Sequence, residues 1–429
     1  MSTKYDKIDQ IEHIHLRPDM YVGSLKPKKF HNEWISNLKH SKITKINSIK
    51  YSEGLLRIFV EAVSNAIDNV WRSKLTDTPC KNIKICIDKE TGLTSVYNDG
   101  MCIPIEVNSK TNIYNPELIF GHLLTSSNYD DSKDRYTSGR NGLGIKLTNV
   151  FSKEFNVEIL DNKKIYKKTW TNNMRDSNDA SISSCYKKGS TFVSWIPDFE
   201  KFKMTGYDNN IIKIYNKIVL DTAMITKVNV FLNDEKINIK SLVDYSKLFG
   251  SHDFISLKSS DCEVVLSRND ENEEYEYIPF TNGVFNKDGG VHVDKWTEDI
   301  FRPIINKLNK PNKPQITMKD VKKFFRIFIN SVVKNPEFTS QSKTCLSHPE
   351  INTKVSPTNI NNIMKWDVIN SIKDIIKGKE LLSLKKTESK TRKFKKIDGL
   401  DAANNAGGKH SKDCTLILCE GLSAKTFAI

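Results

Sequence analysis

The chain has 429 residues, of which 28% are charged and 38% hydrophobic, and its formal net charge is +14. That length calls for two or three domains, and the charge fits a polyanionic partner as well as plain solubility. No apolar run approaches a membrane span, residues 1–19 hold no signal-peptide core, and eight cysteines without a CxxC pair read as reduced thiols, not disulfides or zinc ligands.

In chain order, Ile8, Ile11 and Ile14 share one face if that stretch is helical. HLRPDMYVGS (residues 15–24) reads as a turn entering a strand, punctuated by Pro18 and Gly23. Ser52 is a suitable N-cap for a helix over Leu55–Arg72, with Glu53 in its first turn. At about 100° per residue, Glu61, Asn65, Asp68, Asn69 and Arg72 fall on one narrow stripe of that helix. Leu55, Phe59, Val63, Ala66, Ile67 and Val70 fill much of the remainder. The stripe is either a solvated face or a site. The apolar surroundings predict burial, and buried charges and amides need partners.

Residues 82–88 and 93–98 alternate as a β-hairpin leading into Asp99-Gly100. Residues 116–124 predict a short helix, and a polar aspartate-rich loop follows. SGRNGLGIK (138–146) is a glycine loop that enters another helix. Gly142 and Gly144 could serve a tight turn, or let backbone N–H groups approach phosphates at a helix N-terminus, with Lys146 as a point charge. The loop is not a Walker A motif, because GxxxxGK[ST] is absent. Short strands follow over 155–199, then a helix over 211–226 and a strand over 227–232. Beyond residue 244 come strands near 262–267 and 275–280, a glycine turn at 287–291 and a long helix. The lysine-rich NKLNKPNKP, an apolar strand over 324–333 and a long helix over 361–384 complete this part. Residues 385–413 read as a linker and 414–429 as an apolar strand restarting in a further domain.

Four ordered motifs stand out: ExxxNAxDN (Glu61–Asn69), NDGxxIP (Asn98–Pro104), LLTSSNYDD (Leu123–Asp131) and GRNGLGIKLTNVFS (Gly139–Ser152). HIHLRPDMYVGS, Gly289-Gly290-Val291-His292, NPEFTSQSKTCLS (Asn335–Ser347) and the C-terminal AANNAGGKHSKDCTLILCEGLSAK accompany them. In this order they resemble the ATPase region of eukaryotic-type type IIA DNA topoisomerases, within the gyrase, heat-shock chaperone, histidine kinase and MutL ATPase superfamily. The resemblance implies an α+β architecture. A two-layer α/β sandwich ATPase domain with an N-terminal dimerisation arm spans 1–245, and a transducer of ribosomal-protein-S5-like type spans 246–384. A linker over 385–413 then leads to the start of a TOPRIM domain at 414–429.

Carried over residue by residue, the resemblance implies ATP and Mg²⁺ as ligands. Glu61 would activate the attacking water, with Gln341 and Lys343 reaching the γ-phosphate from the second domain. Asn65 would hold Mg²⁺, Asn69 would contact the nucleotide, and Asp99 would accept from the adenine amino group. Ile119 and Phe120 would line the base pocket, and Ser126, Ser127 and Asn128 would meet ribose and phosphate. Arg140, Asn141, Gly142, Leu143, Gly144, Ile145 and Lys146 would wrap the triphosphate, and Tyr5 would cross to the nucleotide of the other protomer. Lys307, Lys310 and Lys313 would form a DNA-sensing loop, and Glu420 would be one ligand of an incomplete TOPRIM metal site. Three departures are visible: Gln341-Ser342-Lys343 for QTK, Ser138 where glycine usually stands, and Glu420-Gly421-Leu422-Ser423-Ala424 for EGDSA. The implied function is an ATP-closed homodimeric gate that captures double-stranded DNA, with no membrane role. It would act in the nucleus, or at a cytoplasmic replication site or in a virion if viral. The alternatives are a non-hydrolysing ATP-gated DNA clamp and a MutL-like repair ATPase.

Overall fold

The computed structural model describes residues 7–38, 42–125, 135–137, 142–269, 274–311, 313–340, 342–391, 400–421 and 424. Tyr5, Ser126, Ser127, Asn128, Arg140, Asn141 and Gln341 lie outside them. The helices are α1 (Gln10–Leu16), α2 (Glu53–Ser73), α3 (Asn115–Gly121), α4 (Gly144–Val150), α5 (Asn209–Thr226), α6 (Leu242–Lys247), α7 (Val291–Leu308), α8 (Met318–Lys322), α9 (Pro357–Ile363) and α10 (Val368–Thr391).

The first domain is built on a nine-stranded sheet. Its order is Ser181–Ser184, Lys164–Thr171, Ser152–Leu160, Ser190–Pro197, Thr94–Asp99, Asn82–Ile87, Asn229–Leu232 and Glu235–Lys236, with Asp176–Ser177 beside Lys164–Thr171. The predicted hairpin is present, pairing Ile83 with Asn98. The pairing of Asn82–Ile87 with Asn229–Leu232 is parallel, because α5 supplies the crossover between them.

Helix α2 starts where its sequence says. The Ser52 hydroxyl accepts from the Leu55 N–H at 3.1 Å, and Glu53 reaches back to the Ser24 N–H at 3.2 Å. Leu55, Ile58, Phe59, Val63 and Ala66 are buried. Phe59 stacks on Tyr215 of α5, their ring centroids 3.9 Å apart. The Tyr215 hydroxyl donates to the Leu55 carbonyl, and the Thr148 hydroxyl of α4 donates to the Ile58 carbonyl, both at 2.9 Å. At the far end the Ser73 hydroxyl donates to the Asn69 carbonyl at 2.6 Å. The helix is therefore clamped on its apolar sides, and its polar stripe faces the space that remains.

The second domain has a five-stranded sheet in the order Phe254–Lys258, Cys262–Arg268, Phe325–Ser331, Glu276–Thr281 and Val284–Phe285. All seven residues of Phe325–Ser331 are buried. Alternate residues of these strands serve two cores. Val265, Ile278, Phe280 and Phe328 belong to the core of the first domain. Val264, Leu266, Ile327 and Ile329 pack with Trp296, Ile300 and Ile304 of α7.

Four expectations are corrected. Residues 15–24 enter a short 3₁₀ turn at Pro18–Met20, and the next strand begins only at Lys28. The helix expected over 361–384 is broken between α9 and α10, where Trp366 lies 6.1 Å from Phe325 between ring centroids. Helix α10 runs to Thr391, so the expected linker begins inside a helix. The apolar run from residue 414 forms no strand: Leu416, Ile417 and Leu418 are 72%, 64% and 88% exposed. No described strand pairs with it, and a lone strand satisfies neither its backbone nor its side chains. Among the described residues no helix is long and apolar enough to cross a membrane.

Candidate nucleotide site

The polar stripe of α2 opens into a cavity of about 490 Å³, lined by Glu61, Asn65, Asp68, Asn69 and Arg72. The opposite wall carries Ile119 and Phe120 of α3, and the glycine loop contributes Gly142, Leu143, Gly144, Ile145 and Lys146. Lys343 enters from the second domain. The structure thus gathers most of the described residues singled out in the sequence. Asp68 and Arg72, which the sequence placed on the stripe without a role, also line the cavity.

The two loop glycines are close to their neighbours for different reasons. Gly142 has φ +62°, and a β-carbon there would stand 2.5 Å from the Thr125 carbonyl oxygen. A β-carbon on Gly144 would overlap the Glu61 carboxylate at Oε2. The other oxygen, Oε1, pairs with the Arg57 guanidinium one turn earlier at 2.5 Å. Lys146 is buried, and its ammonium donates to the carbonyls of Thr125 at 2.7 Å and Gly142 at 2.9 Å. It ties Thr125 to Gly142, and burial pushes its pKa down to about 8. Burial also lowers the pKa of Lys343, opposed by the negative charge of Glu61 and reinforced by Arg57.

Asp99 is a correction. It does not line the cavity. Its carboxylate accepts from the Lys81 N–H at 2.6 Å, the Asn82 N–H at 2.9 Å and the Asn82 side chain at 2.7 Å, and pairs with Lys188 at 3.4 Å. Burial alone would raise its pKa, but these donors outweigh it and hold the carboxyl below its ordinary value. The neighbouring Asn98 is the residue on the cavity wall, beside Val96, Thr191 and Val193. Side chains alternate along a strand, so Asn98 shares the face of Val96 and Asp99 takes the other. The register confirms the grouping, with Thr191 opposite Asn98 and Val193 opposite Val96. Strand parity would have found Asn98 in the sequence. The amides of Asn69 and Asn98 both donate to the Asp99 carbonyl, at 3.1 and 3.2 Å.

The other expected residues lie elsewhere. Lys307, near the C-terminus of α7, donates to Asn361 at 2.6 Å, Lys313 pairs with Glu380 at 3.0 Å, and Lys310 is exposed between them. Glu420 is exposed, and no group of three His, Cys, Asp or Glu side chains suited to a metal occurs among the described residues.

A family model described as DNA gyrase B matches residues 225–396. The DNA topoisomerase 2 of Invertebrate iridescent virus 6 is 40% identical over 454 residues, covering 99% of this chain and 40% of that protein. The DNA topoisomerase 2 of Penicillium chrysogenum is 37% identical, covering 100% of this chain and 28% of that protein. The chain therefore spans well under half the length of these relatives. The solved ATPase region of Saccharomyces cerevisiae topoisomerase II superposes with a TM-score of 0.80 at 35% identity, covering 87% of this chain and 98% of that one. The ATPase and transducer domains of DNA topoisomerase II from Balamuthia mandrillaris give a TM-score of 0.81 at 28% identity, covering 89% and 98%.

Proposed function

This chain belongs to the family of DNA topoisomerase 2 ATPase regions, and from that premise we propose that it binds and hydrolyses ATP to close a dimeric gate on duplex DNA. The observation that carries the reading is the convergence of Glu61, Gly144 and Lys343, from three separate elements in two domains, on one cavity. The absence of a β-carbon lets Gly142 pack against the Thr125 backbone and Gly144 against the Glu61 carboxylate, so the glycine loop runs close beside the helix that carries the base. Glu61 Oε2, with Oε1 held by Arg57, polarises the attacking water, and a carboxylate is the group for that proton. Lys343 neutralises charge developing on the γ-phosphate. Asn65 offers an amide oxygen where Mg²⁺ would sit against the triphosphate, and such an oxygen donor suits that hard cation; bound there, the ion would offset phosphate charge.

By the same family premise, Ser126, Ser127, Asn128, Arg140 and Asn141 complete the nucleotide contacts. Gln341 joins Lys343, and Tyr5 reaches the partner's nucleotide. Lys307, Lys310 and Lys313 meet DNA through phosphates. In the full-length enzyme the gate would drive passage of one duplex through another, in the nucleus or at a viral replication site. Glu61 and Lys343 on the cavity wall speak against a non-hydrolysing clamp.

Asn98, not Asp99, accepts from the adenine amino group in this reading. Asn98→Leu is expected to raise the KM for ATP about tenfold or more, the cost of an unmet hydrogen bond in a specific site. Asp99→Leu is expected to cost about 2–4 kcal/mol of stability through the orphaned donors of Lys81 and Asn82. ATP kinetics and thermal unfolding of both variants check the assignment, and a KM effect confined to Asp99→Leu would reverse it. The gate itself is tested by sedimentation. A non-hydrolysable ATP analogue should convert monomers to dimers, and an unchanged sedimentation coefficient would defeat the proposal.

A further inference from the structure

The backbone that presents Lys343 is unusual. Lys343 has φ +59°, a left-handed conformation that residues with a β-carbon seldom adopt. Its own N–H donates to the Ser340 carbonyl at 3.1 Å. Its carbonyl accepts from the side-chain amide of Asn286 at 2.9 Å. Asn286 is fully buried, and its side-chain oxygen has no hydrogen-bond partner among the described residues. A buried amide with one end unmet is costly, so the end that is used should carry a purpose.

Asn286 is itself firmly held. Its N–H donates to the Pro279 carbonyl on the strand Glu276–Thr281 at 2.9 Å, and its carbonyl accepts from the Gly289 N–H at 2.8 Å. The same turn grips the segment that follows Lys343 at two further points. The Asp288 N–H donates to the Thr344 carbonyl at 2.8 Å, and the Leu346 N–H donates to the Gly289 carbonyl at 3.1 Å. Gly290, with φ +129°, allows this approach, since a β-carbon there would collide with the Leu346 backbone. Lys287, between these anchors, pairs with Glu33 of the first domain.

We propose that Asn286 is a positioning residue for ATP hydrolysis: its amide fixes the left-handed backbone of Lys343 and so aims the ammonium into the nucleotide cavity. The inference deepens the proposed role of Lys343 and rests on it. Asn286 follows the strand Val284–Phe285 and is tied to the sheet through the Pro279 carbonyl, whereas the lysine side chain is long, so the carbonyl bond decides where that side chain starts. A misplacement of about 1 Å at the reacting phosphate is enough to cost much of the rate.

The test is a double-mutant cycle in the full chain with ATP turnover as the readout. Asn286→Leu keeps the branching and heavy-atom count of the side chain and removes the donor. It should lower kcat about tenfold or more while KM stays within about twofold. In the Lys343→Ala background the same substitution should cause no further loss. Binding of a non-hydrolysable ATP analogue reports whether each variant is folded, and Asn286→Ser, too short to reach the carbonyl, gives the second reading. An unchanged kcat in a folded Asn286 variant overturns the inference, as does an equal loss in both backgrounds, which would mark a merely structural role. Wild-type turnover in Lys343→Ala would instead overturn the phosphate role of Lys343 and the inference with it. Impaired Lys343→Ala beside intact Asn286→Leu would overturn the inference alone.

Discussion

Glu61→Gln is expected to abolish turnover, lowering kcat by about 10²–10⁴ while ATP still binds. The amide keeps the size of the carboxylate and one acceptor beside the glycine loop. It loses the basicity that draws a proton from water and the ion pair with Arg57. Nothing in the packing of α2 depends on the charge, because the helix is held by its apolar sides and by the Tyr215 and Thr148 hydroxyls. Stability should therefore change little. Single-turnover hydrolysis beside analogue binding measures the split. Turnover within tenfold of wild type would remove Glu61 from the base position.

The second large effect is expected at Gly144→Ala, where one methyl group should cost about 10² in kcat/KM. The new β-carbon would overlap Glu61 Oε2, the far end of a flexible side chain, so the carboxylate must swing away from the position it now holds. Ile145 and Lys146 behind the glycine are buried, and Lys146 ties the loop to Thr125. That displacement of Glu61 spoils the geometry at the γ-phosphate. Gly206→Ala is the control, since a β-carbon there meets nothing within 4 Å and turnover should be unaffected. Equal activity of the two variants would mean that Glu61 does not need this closeness.

Much of this site was legible because α2 carries two patterns at once. Helical periodicity separated its apolar residues from Glu61, Asn65 and Asn69, and the cavity lies where that stripe points. The glycine loop was legible because Gly142 takes a left-handed backbone against Thr125 that only glycine suits. Asp99 was expected on the cavity wall for want of strand parity: it is the stronger acceptor as a residue type, but the strand turns it away and brings Asn98 to the wall. Asn286 has no local signal, since its importance comes from a partner 57 residues away. The run from residue 414 was misread for a related reason. Its composition suits a strand, but β-structure is a property of pairs, and no partner strand lies beside it among the described residues.

The two faces of the second sheet have a consequence for where one domain ends. Val265, Ile278, Phe280 and Phe328 complete the core of the first domain, while their neighbours Val264, Leu266, Ile327 and Ile329 build the second. A cut after residue 245 would leave the first four side chains' partners bare to water. Through those four side chains the stability of each half should depend on the other, since unfolding either would expose apolar surface of its neighbour.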